Sequence, residues 1–171
     1  SRDAMERVGD IEWLSEGDFA AMAHDLAVNG EDWDPGRFGG RWSLAGAQPK
    51  MALHQDSETG RWGIPRDSTP TTAIIKPAIE GFAQHHVNEA LCLRAAGEAD
   101  LLAADVDLVE VDDVRAVISY RYDRYQDENG RWVRVHQEDM CQALAVHPTH
   151  KYQTDGGPGV GDIADLLARL P

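Results

Sequence analysis

From Ser15 to Val28 the apolar residues Phe19, Met22, Ala23 and Leu26 recur at intervals of three and four, which is the period of one helix face. Ser15 with Asp18 three positions on resembles a capping box at its start, and Asn29-Gly30 ends it. The polar, glycine-rich stretch from Glu31 to Gly40 then reads as a loop, with Trp33, Phe38 and Trp42 as packing anchors. From Lys50 the pattern shortens to strands: Met51 to His54, Arg61 to Ile64 and Thr71 to Lys76, the last stopped by Pro77. A helix is expected from Gln84 to Ala96, with Val87, Leu91 and Ala95 on one stripe and Gly97 as its stop. Two hairpins follow. Asp112-Asp113 turns between Asp107 to Val111 and Val114 to Tyr120, and Asn129-Gly130 turns between Arg121 to Arg124 and Trp132 to Val135. Helices are expected again at about Gln137 to Val146 and Asp162 to Leu170, joined by the glycine-rich Asp155 to Gly159. Runs of strands with an inserted helix, without regular alternation, predict an α+β fold in which helices pack on an antiparallel sheet.

Composition narrows the partners. In 171 residues, 16 basic side chains stand against 30 acidic ones, and the formal charge of −14 repels phosphate backbones and anionic membranes. No apolar run approaches the roughly 18 residues of a membrane span, and residues 1–6 have no signal-like apolar core, so a soluble, cytoplasmic protein is expected. Cys92 and Cys141 lie in helix-like patterns without C-x-x-C spacing, which predicts two buried thiols. The histidines at 85, 86, 136, 147 and 150 lack the converging spacing of a zinc site, and the acidic residues between Glu98 and Asp113 lack the glycine and ligand alternation of an EF-hand.

The chemistry-bearing stretch is Ser43-Leu44-Ala45-Gly46-Ala47-Gln48-Pro49-Lys50. Small residues around a glycine let backbone N–H groups converge on an anion, and Lys50 adds a charge; by itself such a turn is more often structural, and it lacks Walker-loop spacing. Lys76 closes an apolar strand, and Glu89 lies on the next helix within reach of it. A strand lysine paired with a helix glutamate beneath a small-residue loop is the arrangement by which protein kinases hold the phosphates of ATP.

Six segments in order resemble HipA-type toxin kinases: S-L-A-G-A-Q-P-K, P-T-T-A-I-I-K-P at Pro70 to Pro77, N-E-A-L at Asn88 to Leu91, R-Y-D-R at Arg121 to Arg124, V-H-Q-E-D-M-C-Q-A-L at Val135 to Leu144, and K-Y-Q-T-D-G-G-P-G at Lys151 to Gly159. The resemblance implies a kinase-like small lobe over residues 41–160, preceded by a helix and loop at 1–40 and followed by a helix at 161–171 leading toward a large lobe. It implies a serine/threonine protein kinase, the toxin of a bacterial toxin–antitoxin pair that causes growth arrest and persistence. Its cofactors would be ATP and magnesium. By position, Ser43 corresponds to the autophosphorylated loop serine, and Ala45, Gly46, Ala47, Gln48, Pro49 and Lys50 to the phosphate loop. Lys76 and Glu89 correspond to the nucleotide-holding pair, and Tyr120, Arg121 and Tyr122 to the adenine hinge. Pro49 and Tyr120 both stand where the family often has an acidic residue, and Pro49 has no N–H to offer a phosphate.

The implied partners are a HipB-like DNA-binding antitoxin and a protein substrate, a translation factor or an aminoacyl-tRNA synthetase, with no direct nucleic-acid or membrane contact. No H-R-D or D-F-G string occurs. The expectation is therefore that the catalytic and magnesium-binding carboxylates lie in another lobe, and that this portion is inactive alone, being a truncated, cleaved or split kinase. An interaction module that docks an antitoxin or partner lobe is the alternative.

Overall fold

The structure, a computed structural model, describes residues 9–30, 44, 46, 48–79 and 81–169. The chain divides after Arg134 into two compact units. In the first, a six-stranded antiparallel sheet is built from β1 (Asp10–Trp13), β2 (Met51–Gln55), β3 (Trp62–Arg66), β4 (Ala73–Pro77), β5 (Val106–Val111) and β6 (Val114–Tyr120), in the order β1-β3-β2-β4-β6-β5. Among the described residues, the unit also holds two helices, α1 (Glu16–Asn29) and α2 (His85–Glu98), and a separate hairpin of β7 (Arg124–Gln126) and β8 (Trp132–Arg134). The α+β class read from the pattern is the observed one.

Helix α1 forms where its period places it. Ser15 Oγ accepts from the Asp18 N–H at 3.1 Å, while Asp18 Oδ2 accepts from the Ser15 N–H at 3.2 Å, so the two residues cap each other. The helix buries Phe19, Met22, Ala23 and Leu26 against Met51, Leu53, Ile64, Ala73, Ile75 and Ile118 of the sheet. Phe19 also stacks on Trp62, with ring centroids 5.5 Å apart. A smaller cluster of Ala90, Val106 and Val117, with Leu93 packed on it, joins α2 to the sheet. Strand alternation keeps the two clusters apart, because Ile118 and Val117 are successive residues of β6 and point to opposite faces.

Several expectations shift. Strand β1 was not legible in the pattern; it pairs with β3, setting Trp13 opposite Gly63. A Cβ on Gly63 would lie 2.3 Å from Ile11 Cγ2 and 3.1 Å from the Glu12 carbonyl, so only glycine lets this edge strand close. Gly63→Ala is expected to cost about 1–3 kcal/mol, seen as a lower unfolding midpoint in urea.

Pro77 does not stop β4 at Lys76 but is its last residue, paired with Ala116. The β2 side of the ladder already ends at Ile75, so a missing N–H at 77 breaks no bond there. In α2 the predicted stripe is rotated: Leu91 and Ala95 are exposed, whereas His86 and Ala90 are buried. Small Ala90 lets the helix approach Val106 and Val117, and Glu89 beside it turns toward Lys76. Gly97 lies inside the helix, which caps at Ala99. Cys92 is exposed and Cys141 buried, and both are free thiols.

The hairpin turn at Asp112-Asp113 is as expected, with Asp112 at φ +53°. The second hairpin is shorter than predicted, its closing turn held by Asp127 Oδ1, which accepts from the Asn129 and Arg131 N–H groups.

In the second unit, α3 (Met140–Ala143) is one turn where a longer helix was expected. Asp139 and Gln142 cap its start, and Ala145 at φ +56° forbids its continuation. Two 3-10 turns, Pro148–His150 and Gln153–Asp155, lead to α4 (Val160–Leu167). No helix among the described residues is long and apolar enough to cross a membrane. The anchors Trp33, Phe38 and Trp42 and most of the loop from Glu31 to Gly40 onward lie outside the described residues.

Candidate functional site

Strand alternation in β4 sends Ala73 and Ile75 into the α1 core and Lys76 to the opposite face, under α2. There Lys76 Nζ donates to Glu89 Oε1, one turn into α2. Both side chains remain about a quarter exposed, so the amine is oriented by the carboxylate and still open to a ligand.

Lys50 approaches the same place from the loop before β2. Its Nζ donates to the Gly46 carbonyl at 2.8 Å. Gly46 has φ +108°, a backbone conformation that requires glycine, and a Cβ there would sit 3.1 Å from Lys50 Nζ and crowd the amine. Burial lowers the Lys50 pKa, and the positive charge of Lys76 lowers it further, while Glu89 partly offsets both. The cluster of two lysines and one glutamate is thus one positive charge in excess, in a chain that is otherwise acidic. Lysine is rare here: of 16 basic residues three are lysines, and two of the three meet at this point. The loop is held by Gln48, whose side-chain amide nitrogen lies 2.8 Å from His85 Nε2 and 3.4 Å from the Pro77 carbonyl. Pro49 is half-buried between Gln48 and Lys50. Ser43, Ala45 and Ala47 lie outside the described residues.

Tyr120 and Arg121, expected to form a hinge, are anchored at the end of β6. The Tyr120 N–H donates to the Asp105 carbonyl at 2.9 Å and the Arg121 N–H to the Thr72 carbonyl at 2.8 Å. Tyr120 Oη donates to Asp107 Oδ2 at 3.0 Å, and burial, then that carboxylate, raises the pKa of the phenol. The Arg121 guanidinium is turned away from solvent into a fork on Asp123, at 3.0 and 2.8 Å. Arg124 Nη1 also donates to Asp123 Oδ2, which Arg121 Nη2 shares. Tyr122 is exposed.

Two residues escaped the sequence reading. Asp123 is buried as the hub of the arginine pair, and its signal was an acid between two arginines within four residues. His85 stands beside Gln48, and nothing in its sequence spacing marks it as that neighbour.

Residues 42–171 match the HipA-like C-terminal domain family. The chain is 41% identical over 135 residues to the putative kinase Y4mE of Sinorhizobium fredii, covering 79% of this chain and 32% of that protein. It is 30% identical over 130 residues to the serine/threonine-protein kinase toxin HipA of Shewanella oneidensis, covering 74% and 28%. A chain in the solved complex of Shewanella oneidensis HipA, HipB and operator DNA superposes with a TM-score of 0.66 and 25% identity, over 90% of this chain and 35% of that one. The chain therefore spans about a third of the length of the relatives it matches.

Proposed function

The chain belongs to the HipA-like C-terminal domain family, and from that premise we propose that it holds the nucleotide of a serine/threonine protein kinase. The observation that carries this reading is the meeting of Lys50 and Lys76 beside the Gly46 turn, with Glu89 aiming one amine and the other ion-paired to no carboxylate among the described residues. That donor set fits a polyphosphate: two ammonium groups beside a glycine turn, with one positive charge in excess among the described residues. ATP, when bound, supplies the phosphoryl group to be transferred. Lys76 would grip its phosphates in an orientation fixed by Glu89, and Lys50 would neutralise charge from the loop side. The segment Tyr120 to Tyr122, its first two amides committed to the sheet and its third side chain exposed, would border the base. The catalytic base and the magnesium carboxylates are assigned to the two-thirds of the relatives' length outside the match.

Isothermal titration of the chain with Mg-ATP tests the reading. Saturable heat that ADP competes away supports it, and no heat up to millimolar nucleotide overturns it. The Lys50 shift gives a second test with a defined sign. The protonated amine binds phosphate, and its pKa in the free protein is depressed, so affinity is expected to fall at a lower alkaline pH than an ordinary lysine would give. Binding in that range takes up a proton, and Lys50→Gln should flatten the pH profile of the affinity.

The toxin role follows from the relatives' names and is proposed in the same sense: phosphorylation of a protein substrate, with Ser43 as the loop serine modified when an intact kinase is present. A HipB-like antitoxin is the proposed partner, supported by the complex in which the structural neighbour was solved. Direct contact of this chain with DNA is not part of the proposal, since its −14 charge opposes it.

A further inference from the structure

One turn of α2 carries two residues that address the site from the same side. His85 and Glu89 are four positions apart, stacked along one helix face. Glu89 receives Lys76, and His85 lies 2.8 Å from the side-chain amide of Gln48 on the loop. On its other nitrogen, His85 Nδ1 accepts from the Ile79 N–H at 3.3 Å. We propose that His85 is a positioning residue that seats the loop over Lys76, acting as a neutral imidazole with its proton on Nε2. The proposal rests on the nucleotide reading above and names what holds that site together.

The proton assignment follows from counting donors. The Ile79 amide can only donate, so Nδ1 must be the ring nitrogen without a proton. A neutral imidazole has one such nitrogen, so Nε2 carries the hydrogen and must find an acceptor. The Gln48 amide supplies one when its oxygen occupies the position 2.8 Å from Nε2, a half-turn of the terminal amide from the arrangement with nitrogen there. The exchange gives up a 3.4 Å approach to the Pro77 carbonyl and makes both His85 contacts hydrogen bonds.

This places both cations of the site under one rigid element. Gln48 is two residues before Lys50, whose amine folds back on Gly46, so fixing Gln48 fixes the base of the loop. Glu89, one helical turn further on, fixes the strand amine. The separation of Lys50 from Lys76 is then set by the geometry of a single turn of α2 rather than by the loop alone.

The test is Mg-ATP titration of the full chain and of His85→Ala, His85→Gln and His85→Asn, with the imidazole nitrogen signals of the free protein recorded by NMR. His85→Ala is expected to weaken binding about fivefold, the worth of one hydrogen bond. Glutamine reaches where Nε2 lies and should recover most of that loss. Asparagine reproduces Nδ1 toward Ile79 but reaches no further, and should behave like alanine. A role confined to starting the helix would give the reverse order, rescue by asparagine and not by glutamine, and that result overturns the proposal. Equal affinity in all four proteins overturns it while leaving the nucleotide reading intact; no binding by the unmodified chain overturns both. The NMR signals decide independently of ligand and of variant folding: an Nε2–H tautomer is expected, and an Nδ1–H tautomer sinks the latch.

Discussion

Replacing Lys76 with alanine is expected to weaken Mg-ATP binding by about 10- to 100-fold, the worth of a charge-assisted bond of roughly 1.5–3 kcal/mol in a partly desolvated site. The loss has two sources. The amine that would meet the phosphates is gone, and Glu89 is left as an unbalanced carboxylate beside Lys50, where it repels the incoming anion. Stability should fall too, since the Lys76–Glu89 pair is about three-quarters buried at both ends and Glu89 loses its partner, but by less than for the nearly sealed Asp123. Lys76→Arg keeps the charge but offers a wider, planar fork in a space shaped by a single ammonium, and is expected to recover only part of the affinity. Calorimetry and thermal unfolding on the same preparations separate the two effects. Unchanged affinity in Lys76→Ala, with the fold intact, would remove Lys76 from the site.

The largest stability effect is expected at Asp123. Its side chain is 6% exposed and takes hydrogen bonds from two guanidinium groups, so alanine leaves Arg121 and Arg124 side by side without their counter-charge. Breaking a buried pair in this way costs about 3–5 kcal/mol, visible as a lower midpoint in urea or heat. Burial by itself would raise the Asp123 pKa, yet the hydrogen bonds from Arg121 and the charges of Arg121 and Arg124 outweigh it, and the net direction is down. A carboxyl whose pKa is lowered on folding contributes stability above its unfolded value, near 3.9, and loses it as pH falls through the folded value. Acid unfolding should therefore steepen below about pH 4, and Asp123→Ala should remove that part of the slope. Arg121 links this hub to the proposed hinge, since its N–H bonds the Thr72 carbonyl at the approach to β4, so loosening Asp123 should also blunt the proposed nucleotide binding.

What the pattern predicted well was what local chemistry decides. The Ser15–Asp18 cap, the α1 face of Phe19, Met22, Ala23 and Leu26, and the Asp112-Asp113 turn are each set by residues within one or two turns of chain, and each is observed. The rotation of α2 was not legible, because Val87, Leu91 and Ala95 have as good a helical period as His86, Ala90 and Leu93. The choice between them is tertiary: the small Ala90 over Val106 and Val117, and the pull of Lys76 on Glu89. Strand β1 was missed since its four residues are short and mixed in polarity, and its pairing depends on a glycine 50 positions away at Gly63. Within the site, the reach of Glu89 toward Lys76 could be read from strand and helix order. The latch of Gln48 on His85 could not, as it joins residues 37 apart whose types carry no spacing signal.

The alternation of β4 has a consequence for how reliably the site is built. Ile75 is essentially sealed in the α1 core while Lys76, its neighbour, faces the other way. A slip of one residue in the pairing of β4 with β6 would exchange them, driving an ammonium into a dry cluster and an isoleucine out among the polar groups. Such a misregistered chain loses several kcal/mol at the core before any ligand is involved. Folding thus proofreads the placement of the amine: a sheet that has found its stable register has, by the same act, delivered Lys76 to Glu89.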